Sequence, residues 1–264
     1  MNFEDKAMAK LTFLGTCSGT EPFDGMHHTS FIIEVNGNVY WFDAGESCSR
    51  NAFLNGVDML AVKSIFISHP HVDHIGGLFN LILLMRQQIW RQGKELEDGK
   101  VRLFSPCKAL WEHMKPLIDT ADANLFKVMS VENGIISDSV IFENEDIKVS
   151  AIHNEHMEIP EDGEWKSYSF LIEVNGRKIV YSGDIKRLSE LAPLIGDGCD
   201  ILICESGHHK VTDIIEYAEK SNAAHLIFNH HGREIIYDRT SAQKLCENAT
   251  CKAEVAYDGM ELGL

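Results

Sequence analysis

The sequence predicts an α/β fold in which two mixed β-sheets pack face to face and helices cover both outer faces, a four-layer αβ/βα sandwich. Three observations carry this. A hairpin sequence occurs twice: 30–37 reads Ser-Phe-Ile-Ile-Glu-Val-Asn-Gly, and 169–176 repeats it with a single Ile-to-Leu change. Short apolar strands are grouped in each half of the chain with helical periods between them, and elements with one apolar face must bury it in layers. The 264 residues carry 20 Gly and 6 Pro without a linker-like cluster, so 1–264 reads as one domain of two pseudo-repeated halves.

Taken in order, the first strand is expected at 11–14. The first hairpin follows, its arms joined by Asn36-Gly37, because both residues tolerate the positive φ of a tight two-residue turn. Its second arm runs into Asp43-Ala44-Gly45. A strand at 65–67 precedes a helix at 78–88, then a strand at 101–104 and a helix at 108–119. Strands at 140–142 and 147–152 lead to the second hairpin, whose second arm ends in Ser182-Gly183-Asp184. A strand at 201–204 is followed by a helix at 212–221, with Ile214, Ile215 and Ala218 on one face. A last strand occupies 226–228.

Composition narrows the function. Forty acidic against 24 basic residues give a formal charge of −16, which opposes the counterion release that drives most nucleic-acid binding. Long RNA or DNA is therefore disfavoured as a partner. The opening residues, Met1 to Lys6, have no basic flank leading into an apolar stretch, and no run approaches about 18 apolar residues. A soluble, cytoplasmic protein without membrane association is expected. The seven cysteines (Cys17, Cys48, Cys107, Cys199, Cys204, Cys246, Cys251) are odd in number and form no Cys-x-x-Cys pair, so they are expected as reduced packing thiols.

The chemistry concentrates in His69-Pro70-His71-Val72-Asp73-His74, directly after the apolar run Ile65-Phe66-Ile67. Three imidazoles and a carboxylate in a short loop after a strand suit Zn, Mn or Fe, and they converge with little loop-closure cost. His69 and His71 can project the same way from extended backbone, whereas Asp73 and His74 must turn elsewhere, so two adjacent metals fit. Further candidates stand at three other strand ends: His153 and His156 after 147–152, Asp184 after the second hairpin, and His230 and His231 after 226–228.

The His-x-His-x-Asp-His segment resembles the signature of metallo-β-lactamase-fold hydrolases. The resemblance extends to their ribonuclease Z-like branch through the opening at 11–19, Thr29-Ser30, Phe42-Asp43-Ala44-Gly45-Glu46 and the run from Ile65 to His69, and it covers nearly the whole chain. It implies that His69, His71 and His156 hold one metal, Asp73, His74 and His230 the other, and Asp184 bridges them. His156 is favoured over His153 because the family pattern Val-x-Ala-x-x-x-x-His fits Val149, Ala151 and His156. His230 is favoured over His231 because it follows Leu-Ile-Phe-Asn as the family's last ligand follows its strand. His153 and His231 are then left as donors behind a ligand or as surface residues, and His113 and His225 read as surface histidines. His208, 22 residues before His230, matches the branch's phosphate-facing histidine, with Glu205 orienting it.

The resemblance thus implies a hydrolase with two divalent ions, Zn favoured and Mn or Fe possible. A water shared by the ions attacks an ester centre, and Asp73 also orients this nucleophile. The branch suggests a phosphodiester. The acidic surface suggests a small anionic, nucleotide-like or cyclic substrate. The sequence departs from ribonuclease Z in one respect: that enzyme's long basic tRNA-gripping arm has no counterpart in 157–183, where 157–165 is acidic. This argues against tRNA 3′-processing. Thiolester or lactone hydrolysis on the same metals is the main alternative, a non-catalytic metal-binding protein a further one, and a homodimer is left open.

Overall fold

The computed structural model describes residues 9–157 and 163–264. The expectations on Met1 to Lys6, and that on 158–162 within the acidic stretch, lie outside the described residues. Strands β1 (Lys10–Gly15), β2 (Ser30–Val35), β3 (Asn38–Phe42), β4 (Val62–Phe66), β5 (Lys100–Ser105), β6 (Ser130–Ile135) and β14 (Glu261–Gly263) form one sheet, in the order β14-β1-β2-β3-β4-β5-β6. The second sheet has the order β7-β8-β9-β10-β11-β12-β13, from β7 (Ser139–Glu143), β8 (Ile147–His153), β9 (Tyr168–Val174), β10 (Arg177–Tyr181), β11 (Ile201–Ser206), β12 (His225–His231) and β13 (Lys252–Val255). Read in these directions, each sheet has three antiparallel pairings followed by three parallel ones. The duplicated hairpins, β2-β3 and β9-β10, stand at corresponding places, each turning on an Asn-Gly pair with positive φ. The fold is the α/β sandwich that the sequence predicts.

Strand chemistry explains the layers. In β2, β3, β4, β11 and β12 nearly every residue is buried, and each strand carries an apolar run at its centre or end, as strands covered on both faces require. Alternate residues then serve two cores. Phe31 and Ile33, Tyr40 and Phe42, Phe66, Ile203 and Ile227 point between the sheets. Ile32, Trp41 and Ile65 point instead to the helices over the first sheet, α1 (Cys48–Leu54), α3 (Leu78–Gln92), α4 (Lys108–Ala121) and α5 (Leu125–Val128). Leu202, Leu226 and Phe228 face the helices over the second, including α7 (Val211–Lys220) and α9 (Arg239–Asn248). Short α2 (Val72–Ile75), α6 (Ala192–Ile195) and α8 (Arg233–Tyr237) complete the chain.

Across the inner face of the first sheet, Phe13, Phe31, Phe42, Phe66 and Phe104 are successive register partners on five strands. Their neighbouring ring centroids lie 4.9–5.9 Å apart. Beyond the hairpin turn, Asp146 accepts hydrogen bonds from Asn36 Nδ2 (2.6 Å), Asn38 Nδ2 (2.6 Å) and Tyr40 OH (2.7 Å), tying the first sheet to the turn before β8.

Several elements escape the sequence reading. β6 carries Glu132, Asn133 and Gly134 without alternation, as an edge strand paired only with β5 can. α3 runs past the expected end to Gln92 and stops at Gly93, whose φ is +62°. No helix among the described residues is long and apolar enough to cross a membrane. The cysteines are free thiols, and all but Cys251 are buried.

Candidate metal centre

Five of the parallel strands, from both sheets, deliver their C-terminal ends to one place, where a carboxylate or imidazole follows each: Asp43 after β3, His69–His74 after β4, Asp184 after β10, Glu205 to His208 at the end of β11, and His230 at the end of β12. His156 arrives after β8. Ligand sites at the carboxyl ends of parallel strands are a general property of such sheets, because loops there can converge without disturbing the ladder.

The seven expected ligands are brought together in two overlapping groups. In one, His69 Nε2 and His156 Nε2 each lie 3.6 Å from Asp184 Oδ2, and His71 Nδ1 lies 3.0 Å from His69 Nε2 and 3.2 Å from His156 Nε2. In the other, His74 Nε2 is 3.3 Å from Asp184 Oδ1 and 3.5 Å from Asp73 Oδ2. His230 Nε2 there stands 3.0 Å from Asp73 Oδ2 and 3.3 Å from Asp184 Oδ2. Asp184 belongs to both groups. Around an ion with bonds of about 2.1 Å, neighbouring ligand atoms are separated by roughly 3.0–3.4 Å, so this spacing fits two cations. Buried His74 Nε2 and Asp184 Oδ1 have no hydrogen-bond partner among the described residues, and a cation would supply one.

Asp43 fixes the ring orientations, a role the sequence reading missed. Its carboxylate accepts from Ser68 N (2.7 Å), Ser68 Oγ (2.8 Å) and Tyr181 OH (2.6 Å), and holds His74 Nδ1 at 2.8 Å. His74 Nε2 is thereby left for the centre. Ser68 Oγ stands 3.0 Å from His69 Nδ1 and does the same for that ring. The repeat held the clue, since Asp43 follows the first hairpin as Asp184 follows the second. Asp43 and His230 both adopt positive φ, +52° and +49°, an uncommon conformation for residues with a side chain. Gly207 must be glycine: a Cβ there would sit 2.7 Å from His230 Nδ1.

Charge is distributed unevenly. Burial, reinforced by the imidazoles of His74, His156 and His71, holds His69 well below the ordinary histidine range, and burial takes His156 down to about 4. For His74 burial acts the same way, but the Asp184 and Asp43 carboxylates outweigh it and raise the group well above its usual value. His230 is raised to about 9 against burial, chiefly by Asp184. Burial pushes Asp73 up, yet its bond to His230 and the charge of His74 bring it below the carboxylate range.

Beside these groups, Glu205 is buried and accepts from Gly207 N (2.8 Å) and His208 N (2.9 Å), while His208 Nδ1 lies 3.1 Å from Glu205 Oε1. That bond raises the His208 pKa. His208 also stands 3.9 Å from Asp184 Oδ2, within the edge of the centre. The rejected alternatives lie elsewhere. His153 pairs with Asp138 (2.6 Å) and stacks on Trp165, and His231 is buried with Nε2 at 2.8 Å from Ala256 O. His225, expected at the surface, is instead buried within β12, 2.5 Å from Glu254, because its position faces β13 rather than a loop. A cleft of about 440 Å³ opens over the centre, lined by Ser18, Thr20, Val72, Asp184, His208 and Arg233 among others.

The family described as Anti-Pycsar protein Apyc1 matches residues 9–232, from β1 to just past His230. The chain belongs to the Apyc1 family. This Apyc1-family chain is also similar to the ribonuclease Z of Archaeoglobus fulgidus, 28% identical over 96% of this chain and 97% of that one. Its fold matches the metallo-beta-lactamase fold protein YhfI from Bacillus subtilis, with a TM-score of 0.72 and 14% identity over 97% of this chain and all of that one. It also matches Zn(2+)-bound PqqB from Methylobacterium extorquens, with a TM-score of 0.67 and 14% identity over 97% of this chain and all of that one. At such identities the two structures speak for the fold alone. Apyc1 family membership, the metallo-β-lactamase fold and the clustered ligands make the chain a metal-dependent hydrolase acting on ester bonds.

Proposed function

We propose that the chain is a dinuclear phosphodiesterase for a small, nucleotide-like phosphodiester, with His69, His71 and His156 at one ion, Asp73, His74 and His230 at the other, and Asp184 between them. The observation that carries this reading is the coincidence of two ligand groups on Asp184 with a His208–Glu205 pair at their edge. Bound there, two divalent ions supply an activated water and stabilise developing phosphoryl charge. Asp73, whose Oδ2 faces His230 at 3.0 Å and His74 at 3.5 Å, orients the attacking water. His208, whose pKa the bond to Glu205 raises, gives its proton to the leaving oxygen, and Glu205 stabilises the ring in that orientation. Zinc is favoured because N and O donors at these separations suit it, and the PqqB neighbour is Zn-bound.

The likeness to a protein named ribonuclease Z supports the phosphodiester class. The net charge of −16 and the short stretch 157–183 favour a small substrate over tRNA. Thiolester or lactone hydrolysis remains the second reading, since fold alone does not set the substrate. Turnover of bis-p-nitrophenyl phosphate, S-lactoylglutathione and an acyl-homoserine lactone by the zinc-, manganese- and iron-loaded protein separates them. Phosphodiester cleavage is expected, and turnover confined to the thiolester or the lactone would overturn the reading.

A further inference from the structure

Among the described residues that line the cleft over the centre, Arg233 is the only lysine or arginine, in a chain of formal charge −16. Its Nη2 donates to Glu21 Oε2 at 2.8 Å, and the other oxygen of the same carboxylate accepts from Tyr237 OH at 3.2 Å. Phe23 meets the Tyr237 ring edge-on, with centroids 5.8 Å apart. The loop after β1 and the two ends of α8 thus bring a largely exposed guanidinium, paired with Glu21, next to the Tyr237–Phe23 ring pair. The pairing with Glu21 bears on how Arg233 can act. With Glu21 offsetting its charge, the guanidinium offers less net field to a developing phosphoryl group, but its remaining N–H donors keep a planar fork that suits uncharged acceptors. The exposed Tyr237 ring, just outside the residues that line the cleft, gives a flat heterocycle with acceptors along one edge a surface to stack on.

We propose that Arg233, held by Glu21 and flanked by Tyr237 and Phe23, is a specificity-determining residue that reads an acceptor edge of the nucleobase while the phosphodiester lies over Asp184. This rests on the phosphodiesterase reading. The test compares Arg233→Ala, Arg233→Lys and Glu21→Gln in the metal-loaded full chain, with 3′,5′-cyclic nucleotides of all four bases and with bis-p-nitrophenyl phosphate, which has no base. For the nucleotides KM should rise about 10–100-fold in Arg233→Ala, the usual loss of charge-assisted hydrogen bonds, with kcat changed far less. The loss on bis-p-nitrophenyl phosphate should be at least about tenfold smaller. Glu21→Gln should move the nucleotide KM in the same direction, because the fork is no longer held. An equal loss on both substrate types would overturn the proposal by assigning Arg233 to the phosphate or to the shape of the site. Absence of any loss would overturn it by reducing Arg233 to a solvated ion pair. Failure of the substrate reading itself is visible separately, in unsubstituted protein that cleaves no nucleotide.

Discussion

His153 and His156 lie three residues apart and differ in what surrounds them. His156 Nε2 faces Asp184 and His71, whereas His153 is tied to Asp138 and stacked on Trp165. His156→Ala is therefore expected to lose metal by elemental analysis, and His153→Ala to retain it; the reverse pattern would refute the ligand register. Asp184→Ala should strip both ions, because it leaves two cations without their shared carboxylate. His208→Ala should keep the metals while lowering kcat by about 10²–10⁴-fold, less for p-nitrophenolate leaving groups, which need no proton. A proton donor works only while protonated, so turnover should fall as pH rises through the raised His208 pKa. The substitution should remove that alkaline limb from the pH profile.

At the scale of elements, the phenylalanine row binds five strands that present the site from one sheet. Phe66, fully buried between Phe42 and Phe104, immediately precedes the ligand loop. Phe66→Ala should cost about 3–5 kcal/mol in urea unfolding, through lost transfer energy and a residual cavity. At the opposite end of β3, Asp146 receives three side-chain donors. Burial raises its pKa, but the bonds from Tyr40, Asn36 and Asn38 prevail and lower it. A carboxyl depressed on folding contributes stability above its unfolded value of about 3.9, and that contribution is lost as pH falls through the folded value. Asp146→Asn should therefore destabilise the protein near neutral pH and flatten its acid limb of stability, read from urea midpoints between neutral and acid pH.

For the whole molecule, the two sheets meet at the centre, with His69, His71, Asp73 and His74 from one and His156, Asp184 and His230 from the other. Occupation by close to two metal equivalents should therefore hold the sheets together, and chelation should lower Tm. In the metal-free protein the carboxylates around His74 and His230 favour their protonated forms, and binding must displace those protons. Affinity should then increase with pH toward about 9, with proton release measurable by titration calorimetry in buffers of different ionisation enthalpy. Metal binding without proton release would contradict this charge distribution.

The doubled hairpin, the apolar strands and the His69–His74 loop were legible in sequence because each is local: turn chemistry, side-chain alternation and ligand spacing act within a few residues. The ends of α3 and the short helices were less so, since packing sets where weakly periodic segments stop. β6 and β14 have little pattern of their own and exist as strands because β5 and β1 offer them edges. The sequence by itself thus determined the sandwich class and a metal-binding loop. Which of His153 or His156 and of His230 or His231 faces that loop, Asp43 behind His74, and Arg233 set against Glu21 across 212 residues were decided only by tertiary structure. These depend on how two sheets cross at their strand ends, a geometry fixed by burial of the phenylalanine core between them and by no run of neighbouring residues.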